Sequence, residues 1–583
     1  MAVRRALVRL ALVLVGVAAV ERQNKVFVLP DSDREAAAPL LRAFALHGVD
    51  ELQLDAPSWS AAADTPVFDL LWSQEVPPAG ALGPLDARHR VNHVPGAEAW
   101  VTNLAETHTN LQRTFGIYDF SFVPPTYSVG KEKAKLAAAV NEVLMSPLYE
   151  DRVKVDPAYM RRWLVRDGTH TSLLRTIDEL PVTAVVSKYV EPFLISGHKF
   201  AVDLFVLVAS IDPLRVYVYD NARLRFCLQP YPRILDAAAE LASYSVGDDA
   251  YLSPWTLADL KDYYTELPSA ASEGTNHWRV LKRYLHDHNV DVDRFQRDAD
   301  GIVAKIVAGR RKALQAAGAT ANHFELLQFT LTVQDDGQPF LEAVRRSPSL
   351  HPREAAEAGL FNNIAADVVQ LVGVRAPADK TLAESSLVAA STYCKAKCLD
   401  HLRTWDMTCW RCPGWFSPPV AAALMGSATE FARRGRFRLV FPTADKANAR
   451  FAQGLSAHDE ALHAYLVSFT HAAAAVGTSL LDPAVLCVSR DQCSGHGDCI
   501  NGRCRCDIGF EGFTCYIPRD PSLPPWTDAP QVALHLRVAD GTDVHAPPRR
   551  SFFLVAVGLA ILCFGLYQVA LRVVVVAQAE KDN

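Results

Sequence analysis

Six cysteines fall between Cys487 and Cys515, in the run CVSRDQCSGHGDCINGRCRCDIGFEGFTC. A stretch this short, dominated by Gly, Cys and polar residues, has too little apolar surface to close a core, so covalent staples must hold it. Disulfides at this density form in an oxidising compartment. Zinc is the competing explanation for clustered cysteines. Zinc sites commonly use four ligands in paired steps, whereas this run carries a single Cys-x-Cys step, six cysteines and a Gly-Phe-x-Gly turn before the last one.

The run resembles an EGF-like module. The pairing that this resemblance implies is Cys487 with Cys499, Cys493 with Cys504, and Cys506 with Cys515; spacing alone does not choose among connectivities. Both ends of the chain fit an exported protein. Residues 1–20 place Arg4, Arg5 and Arg9 before an apolar run with small residues at Ala18 and Ala19, the pattern of a secretory signal peptide. An uncleaved signal anchor is the alternative, and it would send the following residues to the same side. Residues 552–571, FFLVAVGLAILCFGLYQVAL, carry no charge and are long enough for one transmembrane helix. Flanking charges do not orient this span, because Arg549 and Arg550 precede it while Arg572 and Lys581 follow it. The cysteine-rich module does: oxidised cysteines put the bulk of the chain in the lumen or outside the cell, as a type I single-pass protein of the secretory pathway or cell surface, with residues 572–583 as a cytosolic tail.

Between these landmarks lies a large body. The chain has 583 residues, half of them apolar, enough for a core of two or three subdomains. A net charge of -6, a pI near 6.3 and the lack of a basic stripe argue against a nucleic-acid partner. Strand and helix patterns alternate along this body. Residues 25–29 (KVFVL) read as a strand and 33–47 as an amphipathic helix, while 204–211 and 214–219 form a hairpin around Asp212-Pro213. A second hairpin is expected from 324–333 and 340–344. The expected organisation is an N-terminal α/β subdomain at 25–120, a larger domain at 121–375, a cysteine-containing helical extension at 376–480, the module at 487–515 and a Pro-rich stalk at 516–550.

The segments SKYVEPFLISGHKFAVDLFVL (187–207), FDLLWS (68–73), VNHVPG (91–96), FVPPTYSVGKEKAKL (122–136), FELLQFTLTV (324–333) and SPSL (347–350) together resemble the tubulin tyrosine ligase-like family, over roughly residues 65–375. The resemblance implies an ATP-grasp fold, in which two α+β lobes clamp Mg-ATP, a carboxylate is activated as an acyl phosphate and an amine attacks it. Such chemistry needs cations on the phosphates, oxygen ligands for magnesium and donors for the transferred phosphoryl group.

Carried over position by position, the resemblance leaves Lys199 and Arg166 as nucleotide-binding candidates. Lys199 stands at the family's Lys-Phe step and reads equally as a solvated strand-end lysine; Arg166 replaces a strand lysine and keeps the charge with altered geometry. The family Asp two places beyond the lysine is Ala201, and the family Arg is Asp203. At 4 Å and an effective dielectric near 20, that reversal turns an attraction of roughly 4 kcal/mol into a repulsion of similar size. Of the metal positions, Glu342 remains, the family's Asp falls on Thr330, and its Asn on Arg345 or Val344. An Arg345 ion pair with Asp203 or Glu342 would be a structural replacement for the lost metal. Tyr251-Leu252-Ser253-Pro254 stands where the family has His-Leu-Thr-Asn. His170 reads as a surface residue, and no catalytic residue is assigned.

Cys394, Cys398, Cys409 and Cys412 form a second group, read as two disulfides or as a zinc site. Cys227 is expected to be a buried thiol and Cys563 lies in the apolar span. Two functions compete. The first, and the expectation here, is a pseudoenzyme: a membrane-anchored scaffold without catalysis that binds a protein partner through its EGF-like module or its cleft. The alternative is an active ATP-dependent amino-acid ligase of the glutamylase type, which alone would need ATP and Mg. The lumenal topology makes tubulin an unlikely partner.

Overall fold

The structure is a computed structural model that describes residues 25–28, 37–46, 49–52, 68–73, 85, 89–144, 162–168, 170–233, 235, 239–265, 276–353, 355–373, 426–427, 430–431, 434–442, 450–451, 459, 497–500, 503–508, 510–511 and 517–518. All belong to one unit, Met1–Trp526; the other, Thr527–Asn583, lies outside the described residues. Strands β1 (Lys25–Val28), β2 (Asp50–Leu52), β3 (Leu70–Trp72) and β4 (Arg90–Val91) pair in parallel in the order β2-β1-β3-β4. Helix α1 (Ala38–Leu46) crosses from β1 to β2 and buries Leu40, Ala43 and Phe44, the spacing that gives a helix one apolar face.

A second sheet follows. β5 (Thr126–Ser128), β6 (Trp163–Asp167), β7 (His170–Leu173) and β8 (Val185–Lys188) run antiparallel in the order β5-β8-β6-β7. Helix α2 (Val129–Leu144) seals one face of this sheet, where Val129 and Leu136 meet Trp163, Val165 and Val186.

The expected hairpins form the central sheet and run longer than their apolar cores suggest. β9 (Leu194–Ile195) pairs with the start of β10 (His198–Ile211), which turns into β11 (Leu214–Phe226). Helices α3 (Ala258–Thr265), α4 (His277–Asp287) and α5 (Val292–Ala316) intervene before β12 (Glu325–Val333) and β13 (Pro339–Arg346); α6 (Ala355–Val372) and β14 (Phe437–Phe441) complete the sheet, in the order β13-β12-β10-β11-β14. Side chains of Asn276 and Asp291 cap α4 and α5 by accepting from the Arg279 and Arg294 amides.

The two faces of this sheet differ, as the period-two geometry of strands requires. Val202, Leu204 and Val206 on β10, Leu224 on β11 and Phe329 and Leu331 on β12 pack under α4 and α5. On the other face Phe205, Leu207, Tyr217, Tyr219 and Leu326 are covered by α6 and α1. Further along that second face the same parity carries Lys199, Asp203, Arg223, Arg225, Gln328, Thr330 and Thr332, so one sheet face is half core and half polar.

β14 differs from expectation, since the pattern of residues 376–480 predicts a helical extension. The run FRLVF buries Phe437, Val440 and Phe441 and pairs with the edge of β11, and that pairing overrides the helical pattern of the neighbouring sequence. Buried pairs tie this segment down: Arg215 binds Glu430 through Nε and Nη2 at 2.6 and 2.8 Å, and Arg311 meets Asp459 at 2.5 Å. Near the C-terminus β15 (Gly497–Ile500) and β16 (Arg503–Cys506) form a hairpin, and β17 (Phe510–Glu511) pairs with β18 (Ile517–Pro518). Cys506 is disulfide-bonded. The three specific EGF-like pairings, the group Cys394, Cys398, Cys409 and Cys412, the signal segment 1–20 and the span 552–571 all rest on side chains or segments outside the described residues. Among the described residues no helix is long and apolar enough to cross a membrane.

Candidate functional site

A narrow cleft, with a free volume of about 30 Å³ as its side chains stand, opens between the antiparallel sheet and the polar half of the central face. Leu104, Leu164, Val190 and Leu341 give it apolar walls, and Arg166, Lys199, Thr332 and Glu342 give it a charged floor. Arg166 reaches in from β6, Lys199 from β10, and Glu342 from β13.

Lys199 is buried, with its Nζ 4.8 Å from the Tyr189 ring centroid and 3.9 Å from Glu342 Oε2. It is no solvated strand-end lysine. Arg166 Nη2 donates to Glu342 Oε1 at 3.0 Å, and the Thr332 hydroxyl donates to Oε2 at 2.5 Å. Burial alone would raise the Glu342 carboxyl, but Lys199, Arg166 and Thr332 outweigh it and hold the group down to about 2. The two candidate cations thus converge on one carboxylate and leave a net positive floor.

Asp203 corrects the expectation of a bare anion. It is fully buried and accepts from Arg225 Nε and Nη2 at 2.7 and 2.9 Å, from Arg223 Nε at 2.9 Å and from Thr330 Oγ1 at 2.8 Å. Burial would raise this carboxyl, yet Arg225 and Arg223 hold it well below the usual carboxylate range. Two guanidiniums against one carboxylate leave this cluster net positive, so the roughly 4 kcal/mol repulsion expected of an isolated anion does not arise. Sequence reasoning misses Arg223 and Arg225, although their spacing in ARLRF is the period-two signal of a shared strand face.

Arg345 pairs with neither Asp203 nor Glu342. Its Nη1 and Nη2 donate to Asp248 Oδ1 and Oδ2 at 2.5 and 2.6 Å, and Arg225 Nη1 donates to the same Asp248 Oδ1 at 3.0 Å. The residues at the family's metal positions do not fit magnesium: Thr330 spends its hydroxyl on Asp203, Glu342 has both oxygens engaged, and Arg345 is a cation. Among the described residues no group of three His, Cys, Asp or Glu side chains could hold a metal. The chemistry of the lining, an apolar slot ending in the cations Arg166 and Lys199, matches what the phosphates of a nucleotide require.

The other expected residues lie around this site. His170 is exposed on β7 opposite Asp167 and does not line the cleft. Leu252 bridges to Phe226, and the Tyr251 hydroxyl donates to Glu357, so the segment that replaces His-Leu-Thr-Asn serves packing. Ala201 is buried, and Cys227 is a free buried thiol whose pKa burial pushes up to about 12.

Residues 85–383 match the tubulin-tyrosine ligase family, which is more than half of the chain and includes every residue that lines the cleft. The chain belongs to the tubulin-tyrosine ligase family. Residues 490–518 match the teneurin-like EGF domain, in agreement with the EGF-like reading of the cysteine run. Curated relatives include the tubulin polyglutamylase ttll-4 of Caenorhabditis elegans, 25% identical over 402 residues that make up 62% of this chain and 60% of that one. The probable tubulin polyglutamylase ttll-15 of the same organism is 25% identical over 302 residues, 50% of this chain and 52% of the relative. Tubulin polyglutamylase TTLL5 of Mus musculus is 23% identical over 381 residues, 62% of this chain and 26% of the relative. The chain therefore spans little more than half the length of the first two relatives. All three are named for tubulin, so the expectation that tubulin is an unlikely partner gains no support from them. They favour the ligase reading of this family member over the pseudoenzyme.

Proposed function

We propose that this chain is an ATP-dependent amino-acid ligase of the glutamylase type that acts on a protein acceptor. The observation that carries the proposal is the convergence of Lys199 and Arg166 on Glu342 in a cleft between two sheets of a ligase-family body. ATP, when bound, supplies the phosphoryl group that activates a carboxylate toward an amine. Lys199 and Arg166 hold phosphate oxygens, and Glu342 fixes both cations in place before any ligand arrives. Arg225, held by Asp203, adds a fixed positive charge beside that floor. The apolar walls exclude water from the activated group.

The test is ATP-dependent incorporation of labelled glutamate, with tubulin as the first acceptor and an extract of secretory-pathway proteins as the second. Incorporation that falls about 100-fold or more in Lys199→Ala supports the ligase. A chain that binds ATP yet transfers nothing to either acceptor supports a second reading, a binding scaffold without catalysis, which the departures at Asp203, Thr330 and Arg345 favour. The same proposal sets the chain in a secretory-pathway or cell-surface membrane, anchored by residues 552–571 with the ligase body lumenal. Protease digestion of intact microsomes that cleaves the body would refute that placement.

A further inference from the structure

We propose that this chain holds the terminal phosphate of its nucleotide with guanidinium groups in place of a divalent metal, Arg225 and Arg345 forming the subsite and Asp248 acting as its resident anion. This subsite rests on the nucleotide reading of the cleft and extends it. The family's remaining oxygen ligand for a metal falls on Val344 or Arg345, and of these two β13 residues Arg345, three past Glu342, brings a cation to that end of the strand. Its fork meets the Asp248 carboxylate through two parallel N–H donors at 2.5 and 2.6 Å, the geometry with which arginine also takes a phosphate.

The two arginines are unequal, and the inequality suits the task. Arg225 is 2% exposed and locked by Asp203 and by the Gly247 carbonyl, so it is aimed in advance at whatever anion Asp248 represents. Arg345 and Asp248 are 43% and 50% exposed, so their pair is screened by water and an arriving anion displaces it easily. Continuity with the cleft comes from β12, where Thr332 donates to Glu342 and Thr330, two residues back on the same strand face, donates to the Asp203 carboxylate that holds Arg225. A polyphosphate that begins over Lys199 and Arg166 therefore ends at Arg225 and Arg345, and the neighbouring strap of Asp248 and Asp249, the latter bound to Arg353, swings off as it arrives.

Calorimetric titration of the full chain with ATP, once in excess EDTA and once in excess magnesium, tests this. ATP is expected to bind in EDTA within about threefold of its affinity in magnesium; Asp248→Ala should tighten the EDTA affinity at least about threefold, and Arg345→Ala should weaken it about tenfold. Binding that needs magnesium and is abolished by Glu342→Ala, or an Asp248→Ala variant that binds no tighter than the parent, overturns the inference and leaves the ligase reading standing. Magnesium-independent binding with no glutamate transfer leaves the inference intact and removes the ligase. No ATP binding in either medium, by the parent or by Asp248→Ala, removes both.

Discussion

Replacing Asp203 with Ala strips the counter-charge from two arginines at once. Asp203 is fully buried, Arg225 and Arg223 are 2% and 13% exposed, and the four hydrogen bonds that Asp203 accepts all measure 2.7–2.9 Å. Breaking a buried pair by removing one partner costs about 3–5 kcal/mol, because the remaining charge is left desolvated. For a body of roughly 450 residues, with an unfolding entropy of about 2.1 cal/mol/K per residue, that corresponds to a loss of about 3–5 °C in melting temperature. Asn would do little better, since its NH2 group would face a guanidinium donor. Differential scanning calorimetry of the full chain reads the shift directly. The triple change Asp203→Leu, Arg223→Met, Arg225→Met removes all three charges together and should recover most of the loss. A single Asp203→Ala variant that melts within about 2 °C of the parent would refute the closed ion cluster and, with it, the fixed positive charge assigned to Arg225.

His277 gives a pH test. Burial among Trp255 and Tyr264 pushes its pKa from 6.5 down to about 4, so the folded chain keeps it neutral while the unfolded chain takes up a proton below 6.5. Stability should therefore fall by on the order of 3 kcal/mol as pH drops from about 6.5 to about 4, and His277→Phe should flatten that slope; a melting temperature constant between pH 7 and 5 contradicts the assignment. Gly435 has a φ of +56°, and a Cβ there would drive into the Asp367 carboxylate, so Gly435→Ala should cost about 2–3 kcal/mol in a urea melt.

Much of the fold is legible in the sequence because its central strands are long and strongly patterned. Residues 198–226 and 325–346 alternate between an apolar face and a second face, and that periodicity alone predicts both hairpins. β14 is not legible, because five residues at a sheet edge carry too little pattern to outweigh their surroundings. The candidate site divides the same way. Lys199, Arg166 and Glu342 stand out from their motifs, and the structure brings them together. Their meaning does not stand out. Asp203 looks like a lost cation until Arg223 and Arg225 are placed across the strand from it, and Arg345 takes a partner, Asp248, that lies 97 residues away in the chain. Pairings set by strand register and loop return depend on tertiary contacts that no local window contains.

The boundary of the family match at residue 383 is not a boundary of folding. β14 covers the outer edge of β11, and Glu430 and Asp459 neutralise Arg215 and Arg311 inside the body. A chain cut after residue 383 would keep Lys199, Arg166, Glu342 and the rest of the cleft and yet present an unpaired strand edge and two arginines stripped of those carboxylates, a combination that invites aggregation. Glu430, β14 and Asp459 thus buttress the strand that carries Arg223 and Arg225, and heritable change at these positions would reach the cleft without touching it.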